Sequence, residues 1–132
     1  MKKILTIFSV CAFTVCASSF MLQADKPLTK QADGTYVVNT TTLTQDVKGY
    51  QSNTPLKIYI KKDKIVKIEA LSNKETPKFF KRVETGVLGK WNGKSVKAAQ
   101  KLKVDGVTGA TLSSNAVKEN VKRGLAYYEK NK

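Results

Sequence analysis

The densest set of groups able to do chemistry lies near the C-terminal end: Asp105, Gly106, Val107, Thr108, Gly109, Ala110, Thr111, Leu112, Ser113 and Ser114. Thr108, Thr111, Ser113 and Ser114 put four hydroxyls within seven positions. Gly106 and Gly109 admit backbone conformations closed to bulkier residues, so the stretch reads as a short turn. A helical stripe follows at Val117, Val121, Leu125 and Tyr128, spaced i, i+4, i+8, i+11. A glycine-containing turn ending at a helix N-terminus suits a phosphate, because unpaired backbone N–H groups and the helix dipole both attract an anion. The same residues also make an ordinary serine-capped helix start. Residue chemistry alone leaves both readings open.

Asp105 to Thr111, DGVTGAT, resembles the flavinylation motif of the FMN-binding domain family. That pattern is an Asp, two loose positions, Thr or Ser, then Gly-Ala-Thr. The domain occurs in subunits of the sodium-pumping NADH:quinone reductase and the Rnf complex, and in small exported flavoproteins. The family's last threonine carries FMN through a phosphoester bond, and its match here is Thr111. Asp105, Thr108, Gly109 and Ala110 fill the other defined places. The resemblance runs from about Asp33 to the C-terminus. Asp33-Gly34-Thr35-Tyr36 is similar to the family's first strand, and Glu75-Thr76-Pro77 to a loop the family places near the flavin. The resemblance therefore implies a cofactor site of Thr111 with Asp105, Thr108, Gly109, Ala110, Leu112, Ser113, Glu75 and Thr76. It also implies a flavin transferase that recognises Asp105, and redox partner proteins. Lys64 and Lys78 depart from the pattern, standing where the family usually has glycine.

The 132 residues suffice for one domain. Lys2 and Lys3 precede an uncharged run from Ile4 to Gln23, the pattern of a signal peptide, so residues 1–24 read as a targeting segment. The uncharged run is also just long enough for an uncleaved anchor, which takes roughly 20 residues. Thr6, Ser9, Thr14, Ser18 and Ser19 dilute it and favour cleavage. Residues 25–32 read as a polar linker and 33–132 as the domain. Both cysteines, Cys11 and Cys16, fall in the targeting segment, and the chain has no histidine. Ser-His-Asp triads, Cys-His nucleophiles and His-based metal sites are thereby excluded. No evident acid–base pair supports a reductase with its own substrate, and an electron carrier is the stronger expectation.

The formal charge is +14, from 24 basic and 10 acidic residues. Such a surplus attracts anions: nucleic acid, lipid headgroups, acidic proteins or phosphorylated cofactors. Only Arg82 and Arg123 are arginines, the residue that nucleic-acid recognition relies on, and no nucleic-acid-binding motif is present. The lysines read as a solvated surface, with a membrane surface as one possible neighbour. A competing reading needs no cofactor: a basic secreted module for acidic glycans or lipid headgroups. It explains the charge but not DGVTGAT.

The rest of the chain predicts an α+β domain, an antiparallel sheet against helices, with the last helix following the turn. Thr35 to Thr41 reads as a strand, and Lys48 to Gln51 as a second, short one. Leu56, Ile58 and Ile60 alternate with polar residues, and Val66, Ile68 and Ala70 do so on the return, giving a hairpin around Lys62-Asp63-Lys64. Thr76 and Pro77 mark a helix start. Phe79, Val83 and Val87 form the expected core stripe of that helix, with Phe80 beside it, and Gly86 and Gly89 stop it. Trp91 reads either as a core lid or as an aromatic surface near the flavin. Ser95 to Gln100 suggests a helical turn, and Leu102 to Val104 a strand that delivers Asp105.

Overall fold

The structure, a computed structural model, describes residues 26–132. The targeting segment expected at 1–24 lies outside them. Four strands, β1 (Leu28–Lys30), β2 (Tyr36–Asn39), β3 (Leu56–Lys61) and β4 (Lys64–Ala70), form one antiparallel meander in that order. Four helical elements follow: α1 (Pro77–Gly86), a 3-10 turn (Leu88–Trp91), α2 (Val96–Lys101) and α3 (Thr111–Asn131). The core lies between one face of the sheet and these helices. Val38, Leu56, Ile58, Ile60 and Ile65 meet Val83, Val87, Trp91, Val117, Val121 and Leu125 there. The architecture is α+β in a single small domain, as the sequence predicts.

Several local expectations need correction. The stretch read as a linker contains β1, which pairs Leu28 with Val38 and Thr29 with Val37. An edge strand needs little apolar character, so its sequence does not announce it. Lys48 to Gln51 forms no strand, only an isolated bridge between Lys48 and Asn53. Leu102 to Val104 is extended but unpaired. In β4 the inward residues are Ile65 and Ile68, while Val66 is 52% exposed. The register passes from Tyr59↔Lys67 to Ile60↔Ile65, leaving Val66 as the extra residue of a bulge. Period-2 reading cannot anticipate that slip. In α1 the core face is Phe80 and Val83, and Phe79 is 41% exposed. Trp91 is buried, which assigns it to the core.

The β3–β4 hairpin turns on Lys62 and Asp63, with φ of 52° and 59°. Positive φ at both central residues is the type I′ geometry that matches strand twist. Neither residue is glycine, so the turn is held from outside. The Asp63 carboxylate accepts from the Tyr128 hydroxyl at 2.5 Å and from Lys132 Nζ at 3.2 Å. These bonds lower the Asp63 pKa, the Tyr128 bond most. Tyr128 is buried edge-on to Tyr36, with centroids 5.3 Å apart. Tyr128→Phe keeps that packing and removes one hydrogen bond, so it should cost about 1 kcal/mol in urea denaturation.

A buried polar node fixes α3 along its length. Asn120 Oδ1 accepts from the Thr40 and Thr44 hydroxyls, each at 2.6 Å. Its Nδ2 donates to the Ala116 carbonyl at 2.9 Å and to Thr54 Oγ1 at 3.3 Å. Thr40 Oγ1 in turn accepts from the Leu56 amide. Buried polar groups so satisfied specify one docking of the helix, and they set where its first turn lies.

Candidate functional site

That first turn opens on a surface pocket of about 400 Å³. Its wall is made by Tyr50, Thr76, Phe79, Gly109, Ala110, Thr111, Leu112 and Ser113. Three separate parts of the chain meet here: the loop around Tyr50, the start of α1 and the start of α3. Among the described residues the exposed large apolar side chains are Tyr50, Val66, Phe79, Leu102 and Leu112. Three of these five line this one pocket. An exposed apolar cluster around a concave surface marks a binding site.

The turn itself is tightly made. Gly109 adopts φ +86°, a conformation that side-chain-bearing residues rarely take. The Ala110 amide donates to the Val107 carbonyl at 3.0 Å, and the Val107 amide donates to Ser114 Oγ at 3.1 Å. Ala110 is the N-cap of α3 and has no side-chain acceptor to offer the helix. The serine-capped start foreseen as the ordinary alternative is therefore absent. An α-helix leaves its first amides without intrahelical partners, and here no N-cap side chain takes them. Thr111, the first residue of the helix, is exposed on the same wall.

Glu75 stands behind the wall, not in it. Its carboxylate is buried and fully bonded. Oε1 accepts from the Tyr50 amide at 2.7 Å and from the Ser113 hydroxyl at 2.7 Å. Oε2 accepts from the amides of Gln51 at 2.6 Å and Ser52 at 3.1 Å. Burial pushes this carboxyl's pKa up. The bonds from Ser113, Gln51, Tyr50 and Ser52 outweigh burial and hold it below the ordinary carboxylate value. A Cβ on Gly49 would lie 2.0 Å from Glu75 Oε1, so glycine is what lets the loop close over the carboxylate. One side chain thus ties the Tyr50 loop to the first turn of α3.

Of the residues expected from sequence, Thr111, Gly109, Ala110, Leu112, Ser113 and Thr76 share the wall. The Ser113 hydroxyl is committed to Glu75 and faces inward. Asp105 and Thr108 are exposed and lie outside the wall. Lys78 is exposed on α1, also off the wall. Thr76 is the N-cap of α1 by position, with Pro77 behind it, but its side chain makes no cap bond. Tyr50 and Phe79 are the wall residues that sequence reasoning missed. For Phe79 a signal existed: Phe80 also lies three residues before Val83, and that phase leaves its neighbour outside.

A surface pocket with aromatic sides, a bare helix start and an exposed hydroxyl is the layout of a site for an aromatic phosphate ester. Residues 49–126, more than half of the chain, match the family model for the FMN-binding domain. The chain belongs to that family and is a flavin-binding protein with FMN as its cofactor. No curated protein and no solved structure matches it. The match begins beyond β1 and β2, so the strands that complete one side of the sheet lie outside it.

The residues present fit FMN. Tyr50, Phe79 and Leu112 offer apolar surface for a flat ring system, and the uncapped start of α3 offers amides for phosphate oxygens.

Proposed function

We propose that this is an exported electron-transfer flavoprotein with FMN joined through a phosphoester to Thr111. The observation that carries this reading is convergence: among the described residues, three of the five exposed large apolar side chains line the same pocket as Thr111, the match to the family's attachment residue. FMN supplies two-electron and one-electron redox chemistry when bound, and the protein supplies position and electrostatics.

Each group in the wall then has a task. Thr111 provides the hydroxyl, held still at the start of a helix that Asn120 anchors to Thr40, Thr44 and Thr54. Gly109 and Ala110 present almost no side chain, which leaves room for a large cofactor and for the transferase that attaches it. Tyr50 and Phe79 flank the ring and limit its contact with water. Among the described residues the wall holds no carboxylate, amine or imidazole. Among the described residues the wall therefore offers no general base for Thr111, in keeping with attachment by a separate enzyme. The same lack favours an electron carrier over an enzyme with its own substrate. Export follows from the signal reading of residues 1–24, and a tether keeps the cofactor from being lost in dilute surroundings. The lysine surplus suits an acidic redox partner or an anionic membrane surface.

The test is co-expression with a flavin transferase followed by denaturation. Flavin fluorescence that travels with the unfolded polypeptide supports the reading, and fluorescence released into solution contradicts it. A companion prediction concerns the wall. Phe79→Ala should leave attachment intact and cost about 1 kcal/mol of stability, because Phe79 is 41% exposed and outside the core cluster. Ring stacking on an aromatic side chain contributes about 1–3 kcal/mol, so the freed flavin should fluoresce several-fold more strongly and be quenched faster by iodide.

A further inference from the structure

The wall holds no cation, yet a phosphodiester carries a negative charge. We propose that Arg82 is the counterion that holds the flavin phosphate at the attachment turn. The proposal rests on the Thr111 reading above and adds a residue to it. Arg82 lies on α1, outside the wall, but its guanidinium reaches two residues of the wall. A Cβ built on Gly109 would lie 3.8 Å from Arg82 Nη1. Its Cζ lies 5.9 Å from the centroid of the Phe79 ring. The charge is thus beside the residue two before Thr111 and against the aromatic side of the pocket.

The Phe79 ring holds the guanidinium on this side of α1, but the fold gives its charge no anionic partner among the described residues. Among the described residues, the Arg82 side chain has no ion pair and no hydrogen-bond acceptor. Arg123, the other arginine, is engaged throughout, with Asp46 at 2.6 Å, Glu119 at 3.0 Å and the Leu43 carbonyl at 3.3 Å. Lys118, on α3, is committed to the Val104 carbonyl. A guanidinium is permanently charged, planar and able to make two parallel bonds to phosphate oxygens, which an ammonium cannot. In a chain whose basic residues are nearly all lysine, an arginine beside the attachment turn has a distinct capability.

The experiment uses the full-length protein loaded by a flavin transferase, with intact mass recorded first and the ³¹P spectrum of the attached flavin second. Arg82→Gln should shift the phosphodiester resonance and slow attachment about tenfold, in line with loss of one charge-assisted hydrogen bond. Arg82→Lys should fall between Arg82→Gln and the wild type. Lys81→Gln removes the same charge from the neighbouring position and should change neither reading. A resonance in Arg82→Gln identical to the wild type overturns the proposal and leaves the Thr111 reading standing. Wild-type protein with no added flavin mass overturns both.

Discussion

Thr111→Ala is expected to abolish covalent flavin completely while leaving the fold in place. Thr111 is exposed at the first position of α3 and makes no contact that the core depends on. Alanine is a good helix former there, so stability should change by no more than about 0.5 kcal/mol. Thr111→Ser retains a hydroxyl and should retain attachment at a reduced rate. In-gel flavin fluorescence after denaturation reads the first effect, and thermal melting reads the second. The contrast matters because Thr108 and Ser114 offer hydroxyls nearby. Ser114 is buried and accepts from the Val107 amide, and Thr108 lies off the pocket wall. Neither should substitute for Thr111.

Glu75→Gln is expected to produce the largest loss of stability. Each carboxylate oxygen of Glu75 accepts two bonds, so all of its acceptor capacity is in use. A glutamine keeps one oxygen and turns an NH₂ group toward two donors. Leaving buried donors unpaired beside a lost charge should cost about 3 kcal/mol at neutral pH. For a domain of this size that is a fall of about 15 °C in Tm. The pH dependence follows from the lowered carboxyl pKa. A group whose pKa is depressed in the folded state contributes fully above its unfolded value, about 4.3 for Glu. That contribution is lost as pH falls through the lower folded value. Wild type and Glu75→Gln should therefore differ most near pH 7 and converge in acid. The variant should also loosen Tyr50, whose amide the carboxylate holds, and flavin fluorescence in loaded protein should rise with it.

This second role was not legible in the sequence. The Glu75-Thr76-Pro77 resemblance implies a loop beside the flavin, whereas Glu75 acts behind the pocket by joining backbone amides 23 to 25 residues away. Such pairing depends on tertiary closure and leaves no periodic trace. The elements that were legible owe it to local rules: the alternation of Leu56, Ile58 and Ile60, and the helical stripe from Val117 to Tyr128. What escaped was set by register and phase. The Val66 bulge moved Ile65 into the core, and the phase of α1 turned Phe80 inward and Phe79 out. Of the pocket wall, the turn and Thr111 could be read from DGVTGAT. The aromatic sides could not, because Tyr50 lies in a loop with no pattern of its own. The competing reading, a basic module for acidic glycans or headgroups, rests on charge alone. Family membership and the apolar pocket favour a flavin over it.

The central claim is that one threonine hydroxyl carries the cofactor. Its most direct test is the intact mass of native protein from cells that make a flavin transferase, followed by peptide mapping. The account predicts a mature chain heavier by one FMN less one water, with the added mass on the peptide that contains Thr111. A mass equal to the bare processed chain, or added flavin on a different peptide, would contradict it.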